Sequence, residues 1–127
     1  MTDKIKLLLV DDEPDILEFL SYNFRKHNFE VITASHGHQA LSMASEHSPA
    51  LIISDILMPK MDGIELCIEL RNREQTKHIP IIFLTAVNDD YKVLHAMSTG
   101  ADQYVSKPAR FDYLLNLVHA TLLKHQH

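Results

Sequence analysis

Three short apolar runs constrain the fold of this chain more than any other feature: LLLV at residues 7–10, LIIS at 51–54 and IIFL at 81–84. None alternates apolar with polar residues, so neither face of such a strand meets water. A parallel sheet covered on both faces by helices meets that requirement, and the segments between the runs supply the helices. After the first run, Pro14 stands where a first helical turn tolerates it, and Ile16, Leu17, Leu20 and Phe24 recur on one helical face. A second strand is predicted near Glu30–Ala34, then a small-residue helix with Ala40, Leu41 and Ala44. Ile64, Cys67, Ile68 and the stem of Arg71 mark a third helix, and Ile79–Leu84 the fourth strand. Asp89–Ser98 reads as a weaker helix, with Val93, Leu94 and Met97 as its sizeable apolar residues. A short strand at Gln103–Ser106 and a last helix with Leu114, Leu117, Val118 and Thr121 on one stripe complete five β-α units. This is an α/β chain with a doubly covered parallel sheet, and 127 residues make one domain, 1–127, without repeats or linker-like stretches.

Composition narrows the function classes. Seventeen acidic against twelve basic residues give a formal charge of −5, which argues against direct nucleic-acid binding or a membrane-surface role. The single cysteine, Cys67, excludes an internal disulfide and a cysteine-based zinc cluster, and fits a reducing, cytoplasmic setting. The start, MTDKIKLLLVDDEPD, meets acids after a short apolar run and reads as neither a signal peptide nor a membrane span. His36-Gly37-His38, at a strand-to-helix turn, and His125-Gln126-His127, at the chain end, read as solvated surface; Cys67 reads as a small core residue.

In open parallel sheets chemistry sits at the carboxyl ends of the strands, and the residues there are distinctive. The first strand ends in Asp11, Asp12 and Glu13, the third in Asp55, the fourth in Thr85, and the fifth is followed by Lys107-Pro108. Carboxylates converging on one rim repel unless a cation or proton intervenes; Mg2+, a hard ion that takes oxygen ligands, is the natural solution. The lysine offers positive charge and the threonine a hydrogen-bond donor for an anionic group beside that ion. Carboxylate nucleophile, Mg2+, lysine and hydroxyl together describe a site at which an aspartate is phosphorylated. Glu13 reads as an N-terminal acid favoured by the helix dipole.

Four segments, LLLVDDEPD at 7–15, LIISDILMPKMDGIEL at 51–66, PIIFLTA at 80–86 and GADQYVSKP at 100–108, together resemble the receiver domain of a two-component response regulator. The resemblance covers essentially the whole chain. It implies a flavodoxin-like five-stranded parallel sheet in the order 2-1-3-4-5 with helices on both sides. It implies Asp55 as the phosphoacceptor, supplied by a sensor histidine kinase or a histidine phosphotransfer protein. Asp12 would be a direct Mg2+ ligand, with Asp55, Asp11 acting mainly through metal-bound water, and the backbone carbonyl of Leu57 completing the protein's share. Lys107 would hold the phosphoryl oxygens, Thr85 would move to bond one of them, and Tyr104 would be the aromatic switch residue. A cis Lys107–Pro108 peptide is expected, with Met58-Pro59 and Asp62-Gly63 in a loop that covers the site and launches the third helix. Apolar Leu57 and Val87 at flanking positions imply slow spontaneous dephosphorylation.

The function that follows is a signalling receiver acting on a downstream target, catalysing only its own phosphorylation and dephosphorylation. Phosphorylation would reshape the face of the fourth helix, fifth strand and fifth helix; Gln103, where the family commonly has an acid, leaves only a weak phosphorylation-dependent homodimer. The competing reading is a haloacid-dehalogenase-like phosphohydrolase, but its D-x-D after the first strand is replaced here by D-D-E-P. A nucleotide or flavin binder lacks its G-x-G-x-x-G or G-x-x-x-x-G-K-[ST] motif.

Overall fold

The structure, a computed structural model, describes residues 4–125. Its elements run β1 Ile5–Val10, α1 Pro14–Lys26, β2 Phe29–Ala34, α2 Gly37–His47, β3 Leu51–Ser54, α3 Gly63–Arg71, β4 Ile81–Thr85, α4 Asp90–Ser98, β5 Gln103–Ser106 and α5 Phe111–Lys124. The five strands form one sheet in the order β2-β1-β3-β4-β5 with all pairings parallel. The non-alternating runs are explained by two cores. Leu8, Val10, Ile52, Ile81 and Phe83 point to the α2–α3–α4 side, while Leu7, Leu9, Leu51, Ile53, Ile82 and Leu84 point to the α1–α5 side. Consecutive side chains of a strand face opposite ways, so a strand buried on both faces is apolar along most of its length, with Ser54 and Thr85 as buried polar residues at the strand ends.

Most elements lie where periodicity predicts them, and the differences have local causes. β4 begins at Ile81, one residue after Pro80, which has no N–H to give a ladder. On α3, Ile68 is 38 % exposed, whereas Ile64, Leu66, Cys67 and Leu70 are buried. This helix packs against the sheet and against both α2 and α4, so its buried arc is wider than one stripe. On α4, Leu94 is exposed, Val93 is only partly buried and Ala96 alone is fully buried. A helix with one small fully buried residue and little else in the core is held weakly.

The order of strands reverses direction between β1 and β3, and that crevice is where a parallel sheet accommodates a ligand. Backbone bonds lock its floor. The Asp11 N–H donates to the Ala34 carbonyl at 3.1 Å, Asp55 N–H to Val10 at 2.9 Å and Lys107 N–H to Thr85 at 2.9 Å. Among the described residues, no helix is long and apolar enough to cross a membrane. Of the terminal histidine cluster, Gln126 and His127 lie outside the described residues, as do both ends of the expected 1–127 domain.

Candidate functional site

Four strand ends deliver the site. Asp11 and Asp12 follow β1, Asp55 follows β3, Thr85 ends β4 and Lys107 follows β5. Carboxylate oxygens of Asp11, Asp12 and Asp55 all lie within 4.8 Å of one another. The Lys107 ammonium donates to Asp11 Oδ2 at 2.8 Å and to Asp55 Oδ2 at 3.0 Å, with its side chain only 11 % exposed. Residues some fifty and a hundred positions apart along the chain are thus brought to one rim.

Each acid is also oriented by backbone. Asp11 Oδ1 accepts the Glu13 N–H at 2.9 Å, and Asp55 Oδ1 accepts the Leu57 N–H at 3.2 Å. Asp12 is exposed while Asp11 and Asp55 are buried, so the cluster opens to solvent on one side. The loop after Asp55 turns through Met58-Pro59 and Lys60, whose φ is 68°, into an Asp62 N-cap. Asp62 and Glu65 form a capping box that starts α3. A Cβ on Gly63 would stand 2.1 Å from the Asp55 carbonyl oxygen; only a residue without one lets the helix begin directly against the acid's backbone.

The electrostatics do not balance. Burial pushes the Asp11 carboxyl above its ordinary value, and the hydrogen bond from Lys107 only partly offsets it. For Lys107, burial acts to lower the ammonium's pKa, but the hydrogen bonds to Asp11 and Asp55 outweigh it and the group is held charged well above its ordinary range. One ammonium serving several buried carboxylates leaves negative charge in excess. An oxygen donor set of this kind suits a hard divalent cation that keeps some of its waters.

Thr85 is fully buried, and its Oγ1 accepts the Val87 N–H at 3.4 Å. Tyr104 is partly buried and its hydroxyl donates to the Val87 carbonyl, so both residues singled out as switch elements meet at Val87. The Lys107–Pro108 peptide is cis, as expected. Leu57 is 49 % exposed at the rim, whereas Val87 is buried.

Glu13 stands where expected, at the start of a helix, and makes a further contact besides. Glu13 does occupy the N-cap of α1, but its side chain makes no capping hydrogen bond. Its carboxylate reaches Lys107 at 3.3 Å instead. The signal in the sequence was its place directly after Asp12, before a helix that starts at the same rim. Elsewhere the bland readings stand: the buried Cys67 thiol is pushed up by its burial, and His36 caps α2, its Nδ1 accepting the Gln39 N–H at 3.2 Å.

Residues 7–119 match the family model described as the response regulator receiver domain. The chain is 43 % identical over 103 residues to the alkaline phosphatase synthesis transcriptional regulatory protein PhoP of Bacillus subtilis, covering 81 % of this chain and 42 % of PhoP. It is 37 % identical over 106 residues to the histidine kinase P4 of Formosa agariphila, covering 84 % of this chain and 8 % of that kinase. Its structure is similar to that of the Vibrio cholerae chemotaxis protein CheY4, with a TM-score of 0.88 at 32 % identity, covering 93 % of this chain and 98 % of CheY4. The chain therefore spans less than half the length of these two curated relatives. None of these similarities is to a dehalogenase-like hydrolase. Sheet order, the acid and lysine rim and the match over nearly the whole sequence agree: this chain belongs to the response regulator receiver family.

Proposed function

We propose that Asp55 is the residue phosphorylated in this receiver, on transfer from a sensor histidine kinase or a histidine phosphotransfer protein, and that phosphorylation changes a partner-binding face. The observation that carries this reading is the Lys107 ammonium seated between Asp55 and Asp11, with Asp12 completing a three-carboxylate cluster. An Asp55 oxygen attacks phosphorus, the bond from phosphorus to the donor's imidazole nitrogen breaks, and Lys107 passes from the carboxylates to the phosphoryl oxygens.

Asp11, Asp12, Asp55 and the Leu57 carbonyl are the groups that would hold Mg2+. When bound, the ion supplies the positive charge that offsets the carboxylates and the incoming phosphoryl group. Asp12 would serve as a direct ligand and Asp11 would act mainly through water. Thr85 gives up its contact with the Val87 N–H to donate to a phosphoryl oxygen, and Tyr104 follows it inward. α4, held by Ala96, is the element with least to lose in such a shift. The unit acts as one domain over 1–127 in a cytoplasmic setting. It turns over only its own aspartyl phosphate, and a homodimer through α4, β5 and α5 is weak because Gln103 lacks an acid's charge.

The test is labelling by acetyl phosphate with Mg2+, followed by intact-mass measurement. One phosphoryl group per wild-type chain is expected and none on Asp55→Asn; an Asp55→Asn protein labelled as fully as the wild type refutes the assignment. Addition of beryllofluoride and Mg2+ is expected to shift amide resonances of α4 and β5, and an unchanged spectrum there sinks the switch.

A further inference from the structure

Lys107 has three carboxylate partners, and the outermost belongs to neither the metal cluster nor the acceptor. Glu13 Oε1 lies 3.3 Å from the ammonium, with a side chain 61 % exposed, against 5 % and 6 % for Asp11 and Asp55. Its placement is built rather than incidental. The Glu13 N–H is held by Asp11 Oδ1 at 2.9 Å, and its backbone is extended at the N-cap of α1 while the side chain makes no capping bond. The carboxylate is therefore directed across the mouth of the pocket instead of back onto the helix.

We propose that Glu13 is a specificity-determining residue that biases the Asp55 pocket against small, multiply charged phosphodonors. The inference rests on the phosphoacceptor reading of Asp55. Two effects have the same sign. Glu13 competes for the ammonium that a phosphoryl group needs, and its charge at the mouth repels a dianionic donor in proportion to that donor's charge. A phosphoryl group carried on a protein histidine brings contacts remote from the reacting atom, whose binding energy offsets such a barrier. A small donor brings none.

The experiment compares initial labelling rates of the whole chain with acetyl phosphate and with phosphoramidate, at saturating Mg2+, for wild type, Glu13→Gln and Glu13→Lys. With acetyl phosphate, the acyl-oxygen–phosphorus bond breaks, acetate leaves with the electron pair, and a new bond forms to an Asp55 oxygen. With phosphoramidate, the nitrogen–phosphorus bond breaks and ammonia leaves with the protons already on its nitrogen. That ammonium nitrogen cancels part of the donor's charge. The expected result is a rise of about three- to tenfold in the acetyl phosphate second-order constant for Glu13→Gln at low salt, larger for Glu13→Lys. The gain for phosphoramidate is below about twofold, and the acetyl phosphate advantage fades at high salt, as screening of an exposed charge requires. Equal acceleration with both donors, no change, or slower labelling of Glu13→Gln overturns the inference. A wild type that takes no label, or an Asp55→Asn chain that does, fails the phosphoacceptor reading instead.

Discussion

The two ends of the central sheet each place an aspartate beside a basic side chain, and they do so to opposite effect. At the amino-terminal end, Asp102 Oδ2 accepts the Ile81 N–H at 2.8 Å and Arg71 at 3.4 Å, and its Oδ1 meets His125 Nε2 at 2.8 Å. Arg71 also donates to the carbonyls of Ile79 at 2.7 Å and Gly100 at 2.8 Å. Every strong group there has a partner, and the result ties α3, β4, β5 and the end of α5 together. At the carboxyl end, a single ammonium is divided among Asp11, Asp55 and Glu13, with Asp12 close by. Charge that is matched makes structure; negative charge left over makes a binding site, because only an incoming cation offsets it.

The contrast breaks most visibly at Lys107. Lys107→Met is expected to reduce labelling by acetyl phosphate on the order of a hundredfold or more, and to lower stability by about 2–4 kcal/mol through the carboxylates it strands. Mg2+ should restore much of that stability, read as a rise in melting temperature on titration. At the other end, Asp102→Ala is expected to cost about 2–3 kcal/mol by orphaning the Ile81 N–H and leaving Arg71 without its carboxylate. Denaturant melts of this variant should show the same loss with and without Mg2+; a loss that Mg2+ repairs would erase the distinction. For the wild type, Mg2+ at a hundredfold over its dissociation constant should add about 2.7 kcal/mol. That gain vanishes as pH falls through the raised Asp11 titration, since protons and metal compete for the same oxygens. Asp11→Asn reverses the sign: with an uncharged amide at a position whose carboxyl is held above its ordinary pKa by burial, the metal-free protein should gain stability while losing its response to Mg2+. The smallest effect is expected from Leu57→Asn, a few-fold faster decay of the phosphorylated protein; a wild type that decays as fast as this variant removes the case for a long-lived state.

Sequence reading reached the carboxyl-end rim and missed the amino-terminal one for a physical reason. Asp11, Asp12 and Asp55 follow unmistakable apolar strands, Thr85 ends another and Lys107 follows the short β5, so the rule that strand ends converge located them without any contact being known. Arg71 and Asp102 sit at a helix end and before a short strand, and their pairing depends on how the α4–β5 turn folds back. No periodicity encodes that. Glu13 fell between: its place at a helix start was legible, but its contact with Lys107 depends on three-dimensional reach. Ile68 and Leu94 failed as core residues because the breadth of a helix's buried face depends on how many neighbours it has.

The contact between Gly63 and the Asp55 carbonyl oxygen has a consequence for inheritance. Asp55 and the start of the helix occupy one undivided volume, so a change at position 63 cannot be confined to packing. Even the smallest added methyl must displace the very peptide that carries the Asp55 carboxyl. Drift in the scaffold at that point is drift in signalling, and a lineage could silence this receiver without ever altering an acid.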